Sequence, residues 1–310
     1  MASKEKKSKR IRQKGFHEFL LITPFLILVA VFAYYPLYGW IYAFFDYQPP
    51  LPFSWDSFVG LKWFRLLFGT RSYVRQTLQV LRNTFAMSGI SLAFSWLPMA
   101  FAIMLNEIRN LRYKRFVQTV TTIPNFISWV LVYSVAFLLM SNSGMLNSVG
   151  MQWGIISQPV DFMKSSEHIW LKMWLWLTWK NLGWAAIMYM AAISGIDETL
   201  YEAARIDGAT RVQCIRHITI PGLLPTFFVL LLLNISNFLN NGMEQYFVFQ
   251  NSWNREYIQV LDLYVYNLAT SKPPVYSVST AISMLKSVVS LALLFAANGF
   301  SKLIRKEGII

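Results

Sequence analysis

The residues best able to do chemistry in this 310-residue chain are few: three histidines, one cysteine and 15 acidic side chains. His17 is followed by Glu18, the start of a zinc-protease pattern, but Leu21 stands where the second histidine is needed. Cys214 has His217 three positions on, and a lone pair at that spacing is no ligand set for a structural metal. No pair of glycines with four residues between them precedes Lys-Ser or Lys-Thr, so there is no phosphate-binding loop. No Gly-x-Ser-x-Gly elbow presents a nucleophile either. The sequence assigns no catalytic residue, no metal site and no cofactor to this chain.

A second set of polar residues stands out because its surroundings are apolar. Asn234, Asn237, Asn241 and Glu244 follow i, i+3, i+7, i+10 spacing, with Asn240 adjoining, and on one continuous helix they would face one direction. Two readings fit. Amides among apolar helices hydrogen-bond a neighbouring helix, contributing about 0.6–2 kcal/mol each. Amides also offer donors and acceptors together, which suits a neutral, hydroxyl-rich ligand. Lys180 and Lys286 are isolated charges that must face a bundle interior or water, or else reach outward along the helix. Trp174 belongs to a cluster with Trp170, Trp176 and Trp179, either a membrane-interface anchor or an aromatic platform beside a ligand path.

The elements that hold these residues are read from where charge is missing. Only 14% of the chain is charged, against roughly 25% in an average soluble domain, while 55% is hydrophobic and 16% aromatic. No charged residue occurs in Phe19–Phe45, Asn83–Asn106, Phe116–Val160 or Ile218–Met243. About 20 apolar residues cross a hydrocarbon core, which predicts spans near 19–45, 84–106, 117–140 and 223–243. Two blocks with one interior lysine each, near 170–194 and 278–301, complete an all-α polytopic membrane protein of six transmembrane helices. Disorder is excluded by the apolar content, and a disulfide scaffold by the single cysteine. A mean hydropathy of +0.40 argues against a nucleic-acid binder despite the net charge of +13. The first uncharged run is too long for a cleaved signal peptide.

Basic residues set the orientation. Segments 1–18, 107–116, 195–217 and 302–310 together hold 17 Lys and Arg, and the longer segments on the other side hold nine. Both termini are expected in the cytoplasm. Residues 1–18 form a basic tail against an anionic inner leaflet, residues 19–301 the spanning domain, and residues 302–310 a short cytoplasmic end.

The segment 195–222 carries the strongest local pattern. Asp197 or Thr199 caps a short helix to Ile206, and Leu200, Ala203, Ala204 and Asp207 give that helix one small, nearly apolar side. Asp207-Gly208 signals a turn. A second helical stretch, 210–217, follows, and Pro221 and Pro225 open the fifth span. The product is a helix–turn–helix on the cytoplasmic face.

Glu202-Ala203-Ala204, three residues, Gly208, nine residues, Ile218, one residue, Ile220-Pro221 resembles the EAA loop of binding-protein-dependent ABC importer permeases. The family form is E-A-A-x3-G-x9-I-x-L-P, and the single departure, Ile220 for leucine, keeps size and apolarity. Tyr35-Pro36-Leu37-Tyr38-Gly39, Phe45-Asp46-Tyr47, Val59-Gly60-Leu61 and 261–266 resemble the carbohydrate-uptake branch, the LplB-like permeases for oligosaccharides and polysaccharides. The resemblance implies a type I importer in a bacterial cell membrane. This permease would work with a second homologous permease, two ATPase subunits that bind ATP and magnesium, and an extracytoplasmic solute-binding protein. It implies ATPase coupling through Glu202, Ala203, Ala204, Gly208, Ile218 and Pro221. It also implies a substrate path drawn from Asn234, Asn237, Asn240, Asn241, Glu244, Trp174 and Lys180, with Lys180 a candidate partner for a carboxylate of the companion permease. A stand-alone channel or secondary transporter would explain the spans but not the EAA loop. A polytopic transferase would need acidic pairs that the spans lack.

Overall fold

The structure, a computed structural model, describes residues 18–305 and the side chains of residues 18–299. The basic tail 1–18 therefore lies outside the described residues except for Glu18, and of 302–310 only the backbone to Arg305 is described. Among the described residues every named element is helical, and the extended pairing seen is an isolated bridge between Phe45 and Phe58. The chain forms two compact units. One comprises the residues to Leu67 together with Leu268–Met284, and the other comprises Phe68–Asn267 with the chain from Leu285 onward.

In the smaller unit, α1 (Glu18–Phe44) runs for 27 residues with none of its most apolar window buried, a surface that only lipid or another subunit can cover. The run tightens to a 3-10 helix over Tyr35–Phe44, where Pro36 removes a backbone donor at the second position. Phe45 then turns inward, 1% exposed, against the rings of Phe53, Trp55 and Phe58. Its carbonyl accepts from Trp63 Nε1 at 2.9 Å and from Ser277 Oγ at 2.7 Å, so an aromatic knot with satisfied backbone closes this unit. Trp63 lies on α2 (Lys62–Gly69).

The larger unit begins with α3 (Arg71–Ala93) and α4 (Leu97–Asn106), which together give a 36-residue stretch. It continues through α5 (Leu111–Thr122), α6 (Trp129–Met140), α7 (Met145–Gln152) and α8 (Ile169–Ser194). Next come α9 (Glu198–Ile206), α10 (Arg211–Cys214) and α11 (Ile220–Ser236). The last elements are α12 (Glu244–Phe249), α13 (Arg255–Ile258), α14 (Leu261–Thr270) and α15 (Tyr276–Arg305). Among the described residues, five helical stretches are long and apolar enough to cross a membrane: Glu18–Phe44, Arg71–Asn106, Trp129–Gln152, Arg211–Ser236 and Tyr276–Gly299. α8, 26 residues and roughly 39 Å long at 1.5 Å per residue, occupies the place of the remaining expected span but is not apolar enough to be counted with these five.

Three of the expected spans differ from the observed helices. The stretch 84–106 is interrupted: α3 begins at Arg71 and ends at Ala93, and α4 starts at Leu97. The stretch 117–140, read as one helix, is broken: α5 ends at Thr122, Ile123–Phe126 is a 3-10 turn, and α6 starts after Ser128. Pro124 cannot donate to an α ladder, and the carbonyls at the break find a side-chain donor on α8, Lys180. The stretch 223–243 is shorter than read, because α11 stops at Ser236. There the Asn237 amide donates to the Leu233 carbonyl at 3.0 Å and Gly242 takes a positive φ of 72°.

α8 is the central strut of the larger unit. Gly183 on α8 lies so close to α5 that a Cβ there would come within 2.3 Å of the Thr121 carbonyl oxygen. Any side chain at 183 would have to push two backbones apart. A buried cluster of Ala102, Ile103, Ala186, Tyr189, Ile193 and Leu223 ties α4, the second half of α8 and the start of α11 together. A second cluster includes Met87, Val132, Met173, Tyr246, Ile258 and Leu263 and joins α3, α6, the first half of α8 and α12–α14.

Candidate functional site

The segment 195–222 folds as its sequence dictates. Asp197 caps α9 by accepting from the Thr199 amide at 3.0 Å, and that hydrogen bond holds the carboxyl below its usual range. Glu198 in the first turn and Arg205 in the last complement the helix dipole. At the far end the Ala209 amide bonds the Ala204 carbonyl at 2.8 Å, and Gly208 has φ +77° with open space where a Cβ would sit. Conformation, not crowding, is what requires glycine here. Thr210 and Gln213 then form a reciprocal capping box that starts α10. From Arg211 the helix runs through a π turn at Ile215–Thr219 into α11, 26 residues in one rod. The second helix of the pattern is therefore the root of the fifth span rather than a separate piece.

One hydrogen bond fastens α9 to that rod, and two packing contacts beside it tie the rod to the chain before α9 and to α8. The Tyr201 hydroxyl meets Thr219 Oγ1 at 2.9 Å, Gly222 accommodates Ile196, and Leu223 is fully buried in the cluster that holds Ile193. Across the loop, Arg211 approaches Glu107 at 4.0 Å, both exposed. Glu202, Ala203, Gly208 and Pro221 are exposed, and Ala204 and Ile218 are half-buried. Ile206 is 87% exposed and Val212 72% exposed.

The predicted substrate-path residues divide into three places. Asn234 and Trp174 line one cavity of about 380 Å³ with Phe94, Asn181, Trp184 and Tyr189, an aromatic wall carrying two amides. Trp174 packs on Phe94 with ring centroids 4.6 Å apart. Asn237, Asn240 and Asn241 lie beyond the end of α11, so the single-faced helical stripe expected from their spacing does not exist. Asn240 donates to Asn237 Oδ1 at 3.2 Å, and Asn241 donates to Ser88 Oγ on α3 at 2.8 Å. Ser88 in turn donates to the Phe238 carbonyl. Glu244, exposed, opens α12.

Lys180 forms the third place. It is 7% exposed, and its ammonium donates to the carbonyls of Pro124 at 3.1 Å, Asn125 at 2.6 Å and Ile127 at 2.7 Å. Three donors meet three carbonyls at the break after α5, of which that of Pro124 also accepts from the Ile127 amide at 3.2 Å, and the charge lies 5.6 Å from the Trp129 ring centre. Asn181 next to it meets Asn125 at 2.9 Å. Lys286 does not reach outward: it pairs with Asp262, their side chains 15% and 20% exposed, and the other Asp262 oxygen accepts from the Gly242 amide at 2.8 Å. Asp262 lies in a segment read from sequence as an outer loop. What marked it was a charge among the apolar residues of 258–266 with an unpaired lysine elsewhere in the chain.

An all-helical polytopic membrane protein with a capped helix–turn–helix rooted in one span is the architecture of an ABC importer permease of the type I fold. Residues 95–306 match the family of binding-protein-dependent transport system inner membrane components, and the chain belongs to it. Protein LplB of Bacillus subtilis (strain 168) is 36% identical over 293 residues, covering 94% of this chain and 90% of that protein. The polygalacturonan/rhamnogalacturonan transport system permease protein YteP of the same organism is 37% identical over 311 residues, covering 99% and 95%. The chain also matches a chain in the crystal structure of a bacterial ABC transporter involved in the import of the acidic polysaccharide alginate. That match has a TM-score of 0.82 and 30% identity, and covers 94% of this chain and 97% of that one. The alginate transporter in complex with an alginate pentasaccharide-bound periplasmic protein gives a TM-score of 0.83 at 30% identity, covering 96% and 98%. This chain is the permease subunit of a binding-protein-dependent ABC importer.

Proposed function

We propose that this permease translocates an oligosaccharide or polysaccharide fragment, delivered by an extracytoplasmic binding protein, across a bacterial cytoplasmic membrane. Import of alginate by the matching transporter and transport of polygalacturonan or rhamnogalacturonan by the YteP system support that substrate class. The chain does so without catalysis of its own. Two ATPase subunits bind and hydrolyse ATP with magnesium, and a second homologous permease completes the path. Both termini and the α9–α10 segment face the cytoplasm, following the basic-residue bias.

The observation that carries this reading is the coupling segment itself. α9 presents Glu202 and Ala203 to solvent beside an almost bare Ile206, yet is bonded through Tyr201 to the root of a 26-residue helical rod, on which Ile196 just before α9 also packs. A partner that grips the exposed side of α9 would move α11 and α8 together, because they share one buried cluster. The cavity holding Trp174 and Asn234 lies against those same helices, so its shape responds to the partner. Glu202→Lys and Gly208→Asp are expected to leave membrane insertion intact and to reduce uptake at least tenfold while the ATPase subunits still hydrolyse ATP. Uptake of labelled oligosaccharide by cells carrying each variant tests this, and normal uptake by either sinks the assignment.

A further inference from the structure

A second cavity, of about 770 Å³, lies in the larger unit and plays no part in the coupling or in the aromatic cavity above. Its wall is the N-terminal half of α3, with Arg71, Arg75, Gln76 and Gln79, facing Arg255 and Gln259 at α13 and just after it. Arg71, Arg75 and Gln79 are four residues apart and share one side of α3. Among the described residues no carboxylate lies within ion-pair range of Arg71, Arg75 or Arg255. Glu256 is the one acidic residue on the wall, which leaves three cations against one anion. Gln259 is 6% exposed, and its Nε2 has no hydrogen-bond partner. A buried amide donor left unpaired costs free energy unless a ligand supplies the acceptor.

The wall is rigidly built. Gln79 and Asn83 donate to the Glu256 carbonyl at 2.9 and 2.8 Å, and Asn83 also donates to the Gln259 carbonyl at 3.1 Å. These bonds pin the segment carrying Arg255 and Gln259 against α3. Guanidinium groups recognise carboxylates through paired N–H donors in a planar fork. Unpaired arginines beside amides, and an unsatisfied buried donor, fit a ligand carrying carboxylates and hydroxyls together. We infer that this cavity is a recognition site for the uronate groups of an acidic oligosaccharide. The inference rests on the carbohydrate-import reading above and on the orientation that puts α13 outside. Along α3 the distance from Gln79 to Ser91, which lines the aromatic cavity, is about 18 Å at 1.5 Å per residue. An anionic sugar would thus meet arginines first and the aromatic cavity later.

The test uses the complete importer, with its binding protein and ATPase subunits, in proteoliposomes. Uptake of a uronic-acid trisaccharide is compared with uptake of its fully methyl-esterified form and of a neutral trisaccharide. The expected result is at least tenfold faster uptake of the acid than of its ester. Combined Arg71→Gln, Arg75→Gln and Arg255→Gln should bring that ratio close to one, with stimulation of ATP hydrolysis by the loaded binding protein unchanged. Gln259→Met should slow uptake of acid and ester alike. A ratio that survives the triple substitution overturns the proposal. Loss of binding-protein stimulation irrespective of the sugar also overturns it, assigning the arginines to protein docking instead. Import of the neutral sugar alone overturns only the uronate site, whereas import of none of the three overturns the carbohydrate reading as well.

Discussion

The coupling segment and the polar break after α11 are built on opposite principles. In the first, each device is local: Asp197 caps through Thr199, Thr210 pairs with Gln213, and Gly208 turns within a few residues. In the second, the bonds that tie the segment to the rest of the fold are distant in sequence. Asn241 meets Ser88, Gly242 meets Asp262 and Asp262 meets Lys286, just as Lys180 reaches back to Pro124, Asn125 and Ile127 at the break after α5. A local device is written in one stretch of sequence and can be read from it. A distant one is written in two stretches whose meeting only the fold decides.

Glycine serves two different ends in the larger unit, and substitution separates them. At Gly183 the φ is ordinary but the space is absent, with the Thr121 carbonyl oxygen 2.3 Å from a built Cβ. Gly183→Leu should prevent α8 and α5 from packing at all, and even Gly183→Ala should cost several kcal/mol on the scale of overpacked cores, typically about 1–3 kcal/mol or more. Loss of monodisperse protein in detergent chromatography is the expected outcome for leucine. A leucine variant that melts like the parent would mean that the two helices do not approach so closely.

Next in size is the Asp262–Lys286 pair. Removing one partner of a fully buried ion pair costs about 3–5 kcal/mol, because the other charge is left unpaired, and this half-buried pair should lose somewhat less. Asp262→Asn and Lys286→Met should each lower thermal stability strongly, while the double substitution should recover much of the loss. Additive losses in the double variant would show that the two groups act independently, and would remove the comparison's main example of long-range pairing.

These differences explain what the sequence disclosed. Five of the six expected membrane-crossing helices were legible because charge-free blocks and basic flanks are one-dimensional signals, and the capped helix–turn–helix was legible because its capping and turn bonds span five residues or fewer. The break at Pro124 was visible as a proline but not as a break, since what makes the break tolerable is Lys180, 56 residues away. The end of α11 was misread because three asparagines within apolar sequence look like a helical face, whereas here their amides bond α3, each other and the backbone in place of the ladder. Arg71, Arg75 and Arg255 were counted only as charge, and it is the Asn83 bridge between α3 and the Glu256 and Gln259 carbonyls that gathers them.

At Gly208 the situation is the reverse of Gly183: nothing lies within 4 Å of the built Cβ, but φ is +77°. Gly208→Ala should therefore cost only about 1–2 kcal/mol, the usual strain of a left-handed L-residue. That is enough to loosen the turn without unfolding the chain. Hydrogen exchange at the α9 amides should quicken severalfold, and unchanged exchange would mean the turn tolerates another conformation.

The smallest expected effect concerns Asp197. Its carboxylate is held below the ordinary range by the hydrogen bond from Thr199, so the folded form binds its proton more weakly than the unfolded chain does. A depressed acid contributes stability that is complete above the unfolded value and is lost as pH falls through the folded one. α9 should therefore fray only in acid, below the usual carboxylate range, and should be insensitive to pH near neutrality. Asp197→Asn keeps the capping oxygen and removes the titration. Exchange protection of the Thr199 and Leu200 amides should fall with acid in the parent and stay level in the asparagine variant. Because the cap is wholly local, its loss should leave exchange protection around Asp262 and Lys286 unmoved. Simultaneous loss of protection in both regions would show that α9 and the polar break open as one unit, against the division drawn between them.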